Sequence, residues 1–381
     1  MESSKKYHPG LILALFFLFC AAFPSLIWAR PFIHGVEGRV LDGNSITITG
    51  ANFGNQGPDI VIFDDFEGGT DGTRIKTGPG SATLGQWDGL GRGTIRYTKS
   101  VSHSGSLAFQ ATSGQPDHPS GNICARASFS MTNEFFGCWW VYLPRDDEWP
   151  GAGVYSVNWK QVWIYTDLRS WGSEKLNDCV IATILGDEGN GGYGALAGNA
   201  IGGFTRWNYR MNKGQWQRSM IHWVGSASNK GSCKATYLQY NGSNTVYDWI
   251  DETNIKNQSH SGYGYGIVDL GAYCHQTEGS DSHPTFDDFY FASGPNCRAR
   301  VEIGDKDTYE SCTNLTITTP TAWQDREITT TVRRGSLKPC KTYYLYVFNA
   351  DGNVNAEGFP VYLVTSSGEK PCPPRGLTII K

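Results

Sequence analysis

Short apolar runs of strand length, broken every few residues by glycine, asparagine, aspartate or serine, leave this chain little room for helices. Such runs occupy residues 45–49, 60–63, 107–112, 139–143, 154–166, 221–224, 235–240, 286–291 and 343–348, and 47 glycines help to punctuate them. Several alternate apolar with polar residues. That is the pattern of antiparallel strands with one face in a core and one outside it. The expected fold class is all-β. Roughly 350 residues beyond the N-terminal leader exceed one small sandwich, so two domains are expected.

The leader itself reads differently. Lys5 and Lys6 precede an apolar run from Leu11 to Ala22, and Pro24 and Ser25 then lead to Ile27, Trp28 and Ala29. A positive start, an apolar middle and a small residue at the end make a cleavable secretory signal over residues 1–29. A retained anchor would need roughly 20 continuous apolar residues, which Pro24 and Ser25 interrupt. A lipoprotein site at Cys20 is disfavoured by the bulky Phe19 before it. No later segment is long and apolar enough for a helical span. The mature chain is expected to be secreted or held at the cell surface, without a membrane span.

Cysteine usage fits an oxidising compartment. Setting Cys20 aside, the 10 cysteines leave positions 124, 138, 179, 233, 274, 297, 312, 340 and 372, with no CxxC and no zinc-type spacing. Scattered cysteines in an exported chain favour disulfides. Their odd number leaves one thiol free or paired between chains. Connectivity cannot be read from one sequence; Cys312 with Cys340 is one candidate bond, because both fall in the C-terminal segment. The formal charge of −4 comes with no basic run, which excludes nucleic acid as a partner. Aromatic residues make up 13% of the chain. Most must fill a core, but flat rings also suit the apolar faces of sugars.

The two ends share a resemblance. The stretch GRVLDGNSITITGANFG (38–54) is similar to the opening hairpin of an immunoglobulin-like IPT/TIG domain. RVEIGD (300–305), TAWQDREITTTV (321–332) and YLYVFNADGNVNAEGFPVYL (344–363) resemble later strands of that family, in order. The resemblance implies one immunoglobulin-like β-sandwich over 35–58 and 298–365, split by an insertion. Residues 59–297 are the inserted guest. They open on IVIFDDFEGG and close on TFDDFYFASG, and between them lie HSGSLAFQAT, GCWWVYLP, NWKQVWIYTD and GQWQRSMIHWVGS. This order resembles the concanavalin A-like jelly rolls of LamG modules and polysaccharide lyases, whose first and last strands pair and bring the ends together. The expected architecture is therefore a jelly-roll β-sandwich plus a smaller immunoglobulin-like β-sandwich. Residues 366–381, with Pro371, Pro373 and Pro374, read as an extended tail.

Glycoside hydrolysis needs two carboxylates across the scissile bond. The E-x-D-x-x-E run that supplies them in hydrolases of this fold is absent. Asp146, Asp147 and Glu148, and Asp187 with Glu188, read as turns. Lyases of the fold instead use a Tyr, His or Lys base and a cation or amide that neutralises a uronate carboxylate. Strict alternation over 158–166 places Asn158 and Lys160 on one face and Trp159, Gln161 and Trp163 on the other. Over 204–211, Arg206, Asn208 and Arg210 alternate with Trp207 and Tyr209; Arg218, Met220 and His222 share a face of the next strand.

A concave face lined by Lys160, Arg206, Arg210 and His222 would suit an acidic polymer. If the chain is a lyase, His222, Lys160 and Arg206 are its catalytic candidates. Asn158, Gln161, Trp163, Trp207, Tyr209 and Arg210 are the candidates for binding substrate. The competing reading is a merely polar face with a structurally satisfied histidine and core aromatics. No lyase signature is complete enough to transfer a role. Recognition of a polysaccharide or cell-surface glycan is therefore the expected function, with a uronate lyase as the alternative and a surface adhesin third. No cofactor is required for any of these. The jelly-roll resemblance implies a structural calcium at the edge, with Asp65, Glu67 and Asp288 as its ligands; otherwise these acidic pairs guard edge strands.

Overall fold

A computed structural model describes residues 30–91, 94–112, 120–121, 124–143, 158–165, 179–186, 193–199, 205–212, 214–240, 243–258, 261, 264–275, 284–365, 368 and 370–372. Along 94, 112, 120–121, 158–159, 179, 181–186, 193–199, 205–211, 239–240, 243 and 272–275 the description is of the backbone alone. Among these residues the helical element is a single 3-10 turn, Tyr309–Ser311, and the rest of the regular structure is strand. The chain is an all-β protein, a jelly-roll β-sandwich with a smaller immunoglobulin-like β-sandwich beside it.

Four antiparallel sheets carry the fold. One has the order Phe32–Glu37, Ser45–Ala51, Glu327–Thr331, Thr319–Gln324, and a second has Leu315–Ile317, Arg300–Gly304, Lys341–Phe348, Phe359–Leu363. The first combines strands from both ends of the sequence, and the second is built from the C-terminal segment alone. They close over a core that includes Ile46, Ile48, Phe53, Val301, Ile303, Ile328, Leu345 and Val347. The alternation in the sequence is the cause: along Ser45–Ala51, Ile46 and Ile48 turn inward while Thr47 and Thr49 remain half-buried.

Strands from the middle of the chain build the larger pair. A nine-stranded sheet runs Ser243–Ile255, Gly231–Tyr240, Trp216–Val224, Glu134–Tyr142, Thr285–Ser293, Asp59–Asp64, Leu84–Gly85, with Thr94–Thr98 and Ala108–Thr112 attached through Thr285–Ser293. An eight-stranded sheet runs Thr205–Met211, Tyr193–Asn199, Cys179–Gly186, Asn158–Tyr165, Tyr265–His275, Ala125–Thr132, Gly89–Leu90, with Ser120–Gly121 beside Tyr265–His275. The chain crosses between these sheets repeatedly, as a jelly roll does, and their shared core holds Trp139, Trp223, Phe135, Phe289, Val162 and Leu270. Asp59–Asp64 pairs antiparallel with Thr285–Ser293, and Asp59 lies opposite Ser293. The entry and exit of the middle segment therefore meet.

The second small sheet is covered on both sides. Val301 and Ile303 enter the small core, whereas Arg300 and Glu302 turn toward the nine-stranded sheet. There Tyr346, Phe348, Tyr309 and Leu315 pack against Trp140 and Leu238. Every residue of Arg300–Gly304 and nearly all of Glu134–Tyr142 is buried in consequence. Strands enclosed on two faces lose simple alternation and read as continuous apolar runs.

At this junction Glu302 accepts from two arginines, one per sandwich. Arg218 Nη1 lies 2.7 Å from Oε2, and Arg300 Nε lies 2.5 Å from Oε1. The Arg300 guanidinium also sits over the Phe348 ring at 3.5 Å and the Phe136 ring at 4.5 Å. Burial pushes the Glu302 carboxyl up, but Arg218 and Arg300 outweigh it and hold the group below the usual carboxylate range. A second tie runs from Asp288 Oδ2 through His103, 2.9 Å at Nδ1, to Ser336 Oγ, 3.1 Å from Nε2. The His103 ring stacks on Trp140 at 3.7 Å.

The disulfide differs from the candidate bond. Cys340 bonds Cys372, and Cys312 remains a buried thiol beneath Gly304 and Tyr346. Sharing a segment with Cys340 was a poor guide, because Cys312 follows the Tyr309–Ser311 turn and faces the nine-stranded sheet. Cys372 also anchors the start of the expected tail, whose residues 373–381 lie outside the described set. Cys124, Cys138, Cys233 and Cys297 are likewise buried thiols.

Removing the carboxylate between two buried guanidiniums leaves both uncompensated. Glu302→Ala should lower the unfolding free energy by about 3–5 kcal/mol, read as a lower urea midpoint at unchanged slope. Because the folded pKa of Glu302 is depressed, its stabilisation should persist across neutral pH and be lost only as pH falls below the ordinary carboxylate range. An Ala variant as stable as the parent would contradict this account.

Candidate functional site

The strand Asn158–Tyr165 lies at the centre of the eight-stranded sheet, and its side chains do not follow strict alternation. Gln161 accepts the Trp139 Nε1 hydrogen at 2.8 Å inside the core, and Val162 is part of that same core. Two successive residues point inward because the register shifts between Lys160 and Val162 against both neighbouring strands. Gln161 is the extra residue of a bulge. On the partner strand Gly271 sits at the irregularity with φ +66, a left-handed conformation that glycine adopts without strain.

The bulge changes which side chains share a face. Beyond it, Trp163 and Tyr165 form a cluster with Ile267 that is separate from the main core. Their rings stack at 4.9 Å with an interplanar angle of 24°. Lys160, preceding the inward Gln161, falls on this same outward face. The expectation that Gln161 and Trp163 line one face is thus corrected: Trp163 joins Lys160, and Gln161 is a core hydrogen-bonding residue. Beside the aromatic cluster, Arg126 forms a two-pronged pair with the buried Asp269, at 2.7 Å from Nε and 2.6 Å from Nη2. Arg126, Tyr165 and Asp269 were not singled out in the sequence. Tyr165 was within reach, two residues after Trp163, but nothing local joins Arg126 to Asp269 across 143 positions.

His222 lies elsewhere. It belongs to Trp216–Val224 of the nine-stranded sheet, on the face that meets the small sandwich, with Met220 and Arg218 as its period-two neighbours. Its Nε2 is 2.9 Å from Glu134 Oε1. Burial lowers its pKa, partly opposed by Glu134. Lys160 and His222 therefore stand on different sheets, on faces turned away from the shared core in opposite directions. A single site containing both, as the sequence suggested, does not form. Arg206, Trp207, Tyr209 and Arg210 belong to Thr205–Met211 at the edge of the same sheet as Lys160; their side chains, and that of Asn158, lie outside the description. So do residues 146–148 and 187–188.

The acidic edge is organised by hydrogen bonds from the protein itself. Glu67 accepts from Ser106 N at 2.8 Å, Leu107 N at 2.7 Å and Ser106 Oγ at 2.9 Å. Asp288 receives Ser104 Oγ at 2.8 Å and faces His103, while Asp65 accepts from Thr83 Oγ1 at 2.7 Å. Asp287 Oδ2 accepts the backbone N–H groups of His103 and Ser104. Among the described residues, the ligating oxygens of Asp65, Glu67 and Asp288 do not converge into one set. Oxygens committed to N–H and O–H donors fit the pinning of the 103–107 loop, and they do not fit the expected calcium cage.

No protein-family model and no curated protein matches the chain. Among solved structures it is similar to an endo-β-1,4-glucuronan lyase from the fungus Trichoderma reesei, with TM-score 0.38, 15% identity, and 59% of this chain and 96% of that one covered. It is also similar to a PL-14 alginate lyase from Aplysia kurodai, with TM-score 0.39, 12% identity and coverage of 59% and 100%. Lectin II from Ulex europaeus gives TM-score 0.33, 11% identity and coverage of 53% and 90%. Likenesses at this level do not decide what the chain does.

Within the acidic edge Asp64 has a testable signature. Burial raises its carboxyl to about 7 despite hydrogen bonds from Trp87 Nε1 and Phe66 N. Its folded pKa exceeds the unfolded value of 3.8, so between the two the folded state binds the extra proton. This group's stabilisation should be complete below pH 4 and decline as pH rises toward about 7. Melting temperatures across that range should show the parent losing stability relative to Asp64→Asn. Parallel curves would remove the assignment.

Proposed function

We propose that this chain is an exported protein that binds a polysaccharide on the outward face of its eight-stranded sheet. The observation that carries the reading is Trp163, half-buried on that face and stacked on the buried Tyr165, with Lys160 and Arg126 beside it. Flat rings offer apolar contact to sugar C–H faces, and neighbouring polar groups supply hydrogen bonds and a positive charge for acidic sugars. The opposite outer face, on the nine-stranded sheet, is occupied by the small sandwich. Export rests on the sequence of residues 1–29, which lie outside the described structure. The Cys340–Cys372 bond is compatible with it. Among the described residues no helix is long and apolar enough to cross a membrane.

The nested organisation belongs to the same reading: a split immunoglobulin-like domain of the IPT/TIG kind with the jelly roll inserted. Strands from both chain ends share one of the small sheets, and the first and last long strands of the insert pair. Such an insertion costs little when the guest's ends are adjacent.

A uronate lyase is the second reading, because Lys160 and Tyr165 share the face with the aromatic pair. His222 is excluded from its chemistry by position, so the proton would be taken by Tyr165 or Lys160. The two readings separate in one set of measurements. Affinity electrophoresis through alginate, glucuronan and neutral glucans should show retardation by at least one polymer, and Trp163→Ala should weaken it about tenfold, which corresponds to a contact of about 1.4 kcal/mol. Ultraviolet absorbance of an unsaturated product that appears with the parent and disappears in Tyr165→Phe would establish the lyase instead. Free migration in every gel, with no product, would leave the adhesin class.

A further inference from the structure

We propose that Glu134, His222 and Cys297 form a binding site for one divalent transition-metal ion, with zinc the ion their donors suit best. One carboxylate oxygen, one imidazole nitrogen and one sulfur from these residues lie within 4.8 Å of one another. A tetrahedral zinc centre with bonds of about 2.0–2.3 Å needs its ligands roughly 3.3–3.8 Å apart. The sulfur has to close by at most about an ångström, and the Glu134–His222 hydrogen bond of 2.9 Å opens slightly to admit the ion.

The three residues stand on rigid backbone. Glu134 and His222 occupy adjacent paired strands, where Glu134 lies opposite Val224 and Phe136 opposite His222, so their side chains are diagonal neighbours on one face. Cys297 ends a tight turn whose Gly294 N donates to the Glu134 carbonyl at 2.8 Å and whose Cys297 N donates to Gly294 O at 3.1 Å. Side chains fixed on ladder-bonded strands hold a ligand geometry better than loop residues do. His222 also lines a cleft of about 150 Å³ together with Lys234, Thr236 and Arg298, which gives an ion a route in.

Donor chemistry selects the class of ion. A thiolate and an imidazole are poor ligands for calcium or magnesium, which take oxygen, and good ones for zinc and its neighbours. Binding converts the Cys297 thiol to a metal-bound thiolate and releases one proton to solvent, with no change of oxidation state. Arg298 and Arg300 lie near enough to act on Cys297. They do not repel the filled site: the carboxylate and thiolate together cancel the 2+ charge, so the arginines face a neutral centre.

The test uses the full mature chain stripped with a chelator, then titrated with zinc or cobalt(II) alone and passed through a desalting column. One retained equivalent is expected, and the cobalt form should show thiolate-to-metal charge-transfer absorption. Cys297→Ser should abolish that band and weaken binding by more than about tenfold, the smaller cost of losing even an outer hydrogen-bond partner of a ligand. Glu134 is partly exposed, so Glu134→Gln tests the site without touching the buried thiol; it should weaken binding while keeping the band. No retained metal overturns the proposal. So does metal held equally by the parent and by Glu134→Gln, whether or not Cys297→Ser folds.

Discussion

The Arg218–Glu302–Arg300 contact decides how the rest of this molecule is arranged. Two guanidiniums and one carboxylate leave water together, a transfer that costs several kcal/mol per ion and is recovered only when geometry is good and donors are satisfied. Both Glu302 oxygens are engaged here, and Arg300 lies between two aromatic rings. The ion group sits between the jelly roll and the small sandwich. An isolated jelly roll would leave Arg218 in a half-dry sheet without its carboxylate, so the small sandwich completes the electrostatics of its neighbour as well as covering apolar surface.

That contact fixes which surfaces can meet a polymer. The outward face of the nine-stranded sheet carries His222, Met220, Phe136 and Trp140, and all of it lies under or beside Tyr309, Tyr346 and Phe348. A glycan reaching His222 would have to displace the small sandwich. The outward face of the eight-stranded sheet carries Lys160, Trp163, Tyr165 and Arg126, and none of these takes part in the contact with the small sandwich. The pairing of His222 with Glu134 follows from the same burial: a buried ring nitrogen in a dry junction needs a fixed hydrogen-bond partner, and the strand beside it supplies one.

The elements were legible from the sequence because each strand announces itself locally. The runs at 45–49, 60–63, 221–224 and 343–348 all lie within strands, and the joining of both chain ends in one small sheet follows the order in which the related segments appear. What local pattern cannot carry is sheet membership and register. Nothing in residues 158–166 and 216–224 says that they belong to different sheets, and alternation alone placed Lys160 with His222. One extra residue at Gln161 then reversed the expected face of Trp163, since a strand has period two and any bulge inverts everything beyond it. Cys340–Cys372, Arg126–Asp269 and the convergence of Glu134, His222 and Cys297 are products of long-range register, and no spacing rule reads them.

Register also bears on whether the outward face binds or cuts. Recognition tolerates small displacements, because stacking on Trp163 changes gradually as a sugar ring slides. Proton abstraction does not: the base must reach hydrogen-bond distance of one carbon-bound proton while a cation holds the adjacent carboxylate. On this face Arg126 already gives both prongs of its guanidinium to Asp269, so neutralising a uronate would fall to Lys160 or to the Thr205–Met211 strand. If Lys160 is spent on the carboxylate, the base must be Tyr165, whose ring is already stacked against Trp163. A surface that binds through the Trp163 ring asks for no such division of labour, and on that physical ground binding is the simpler use of this face.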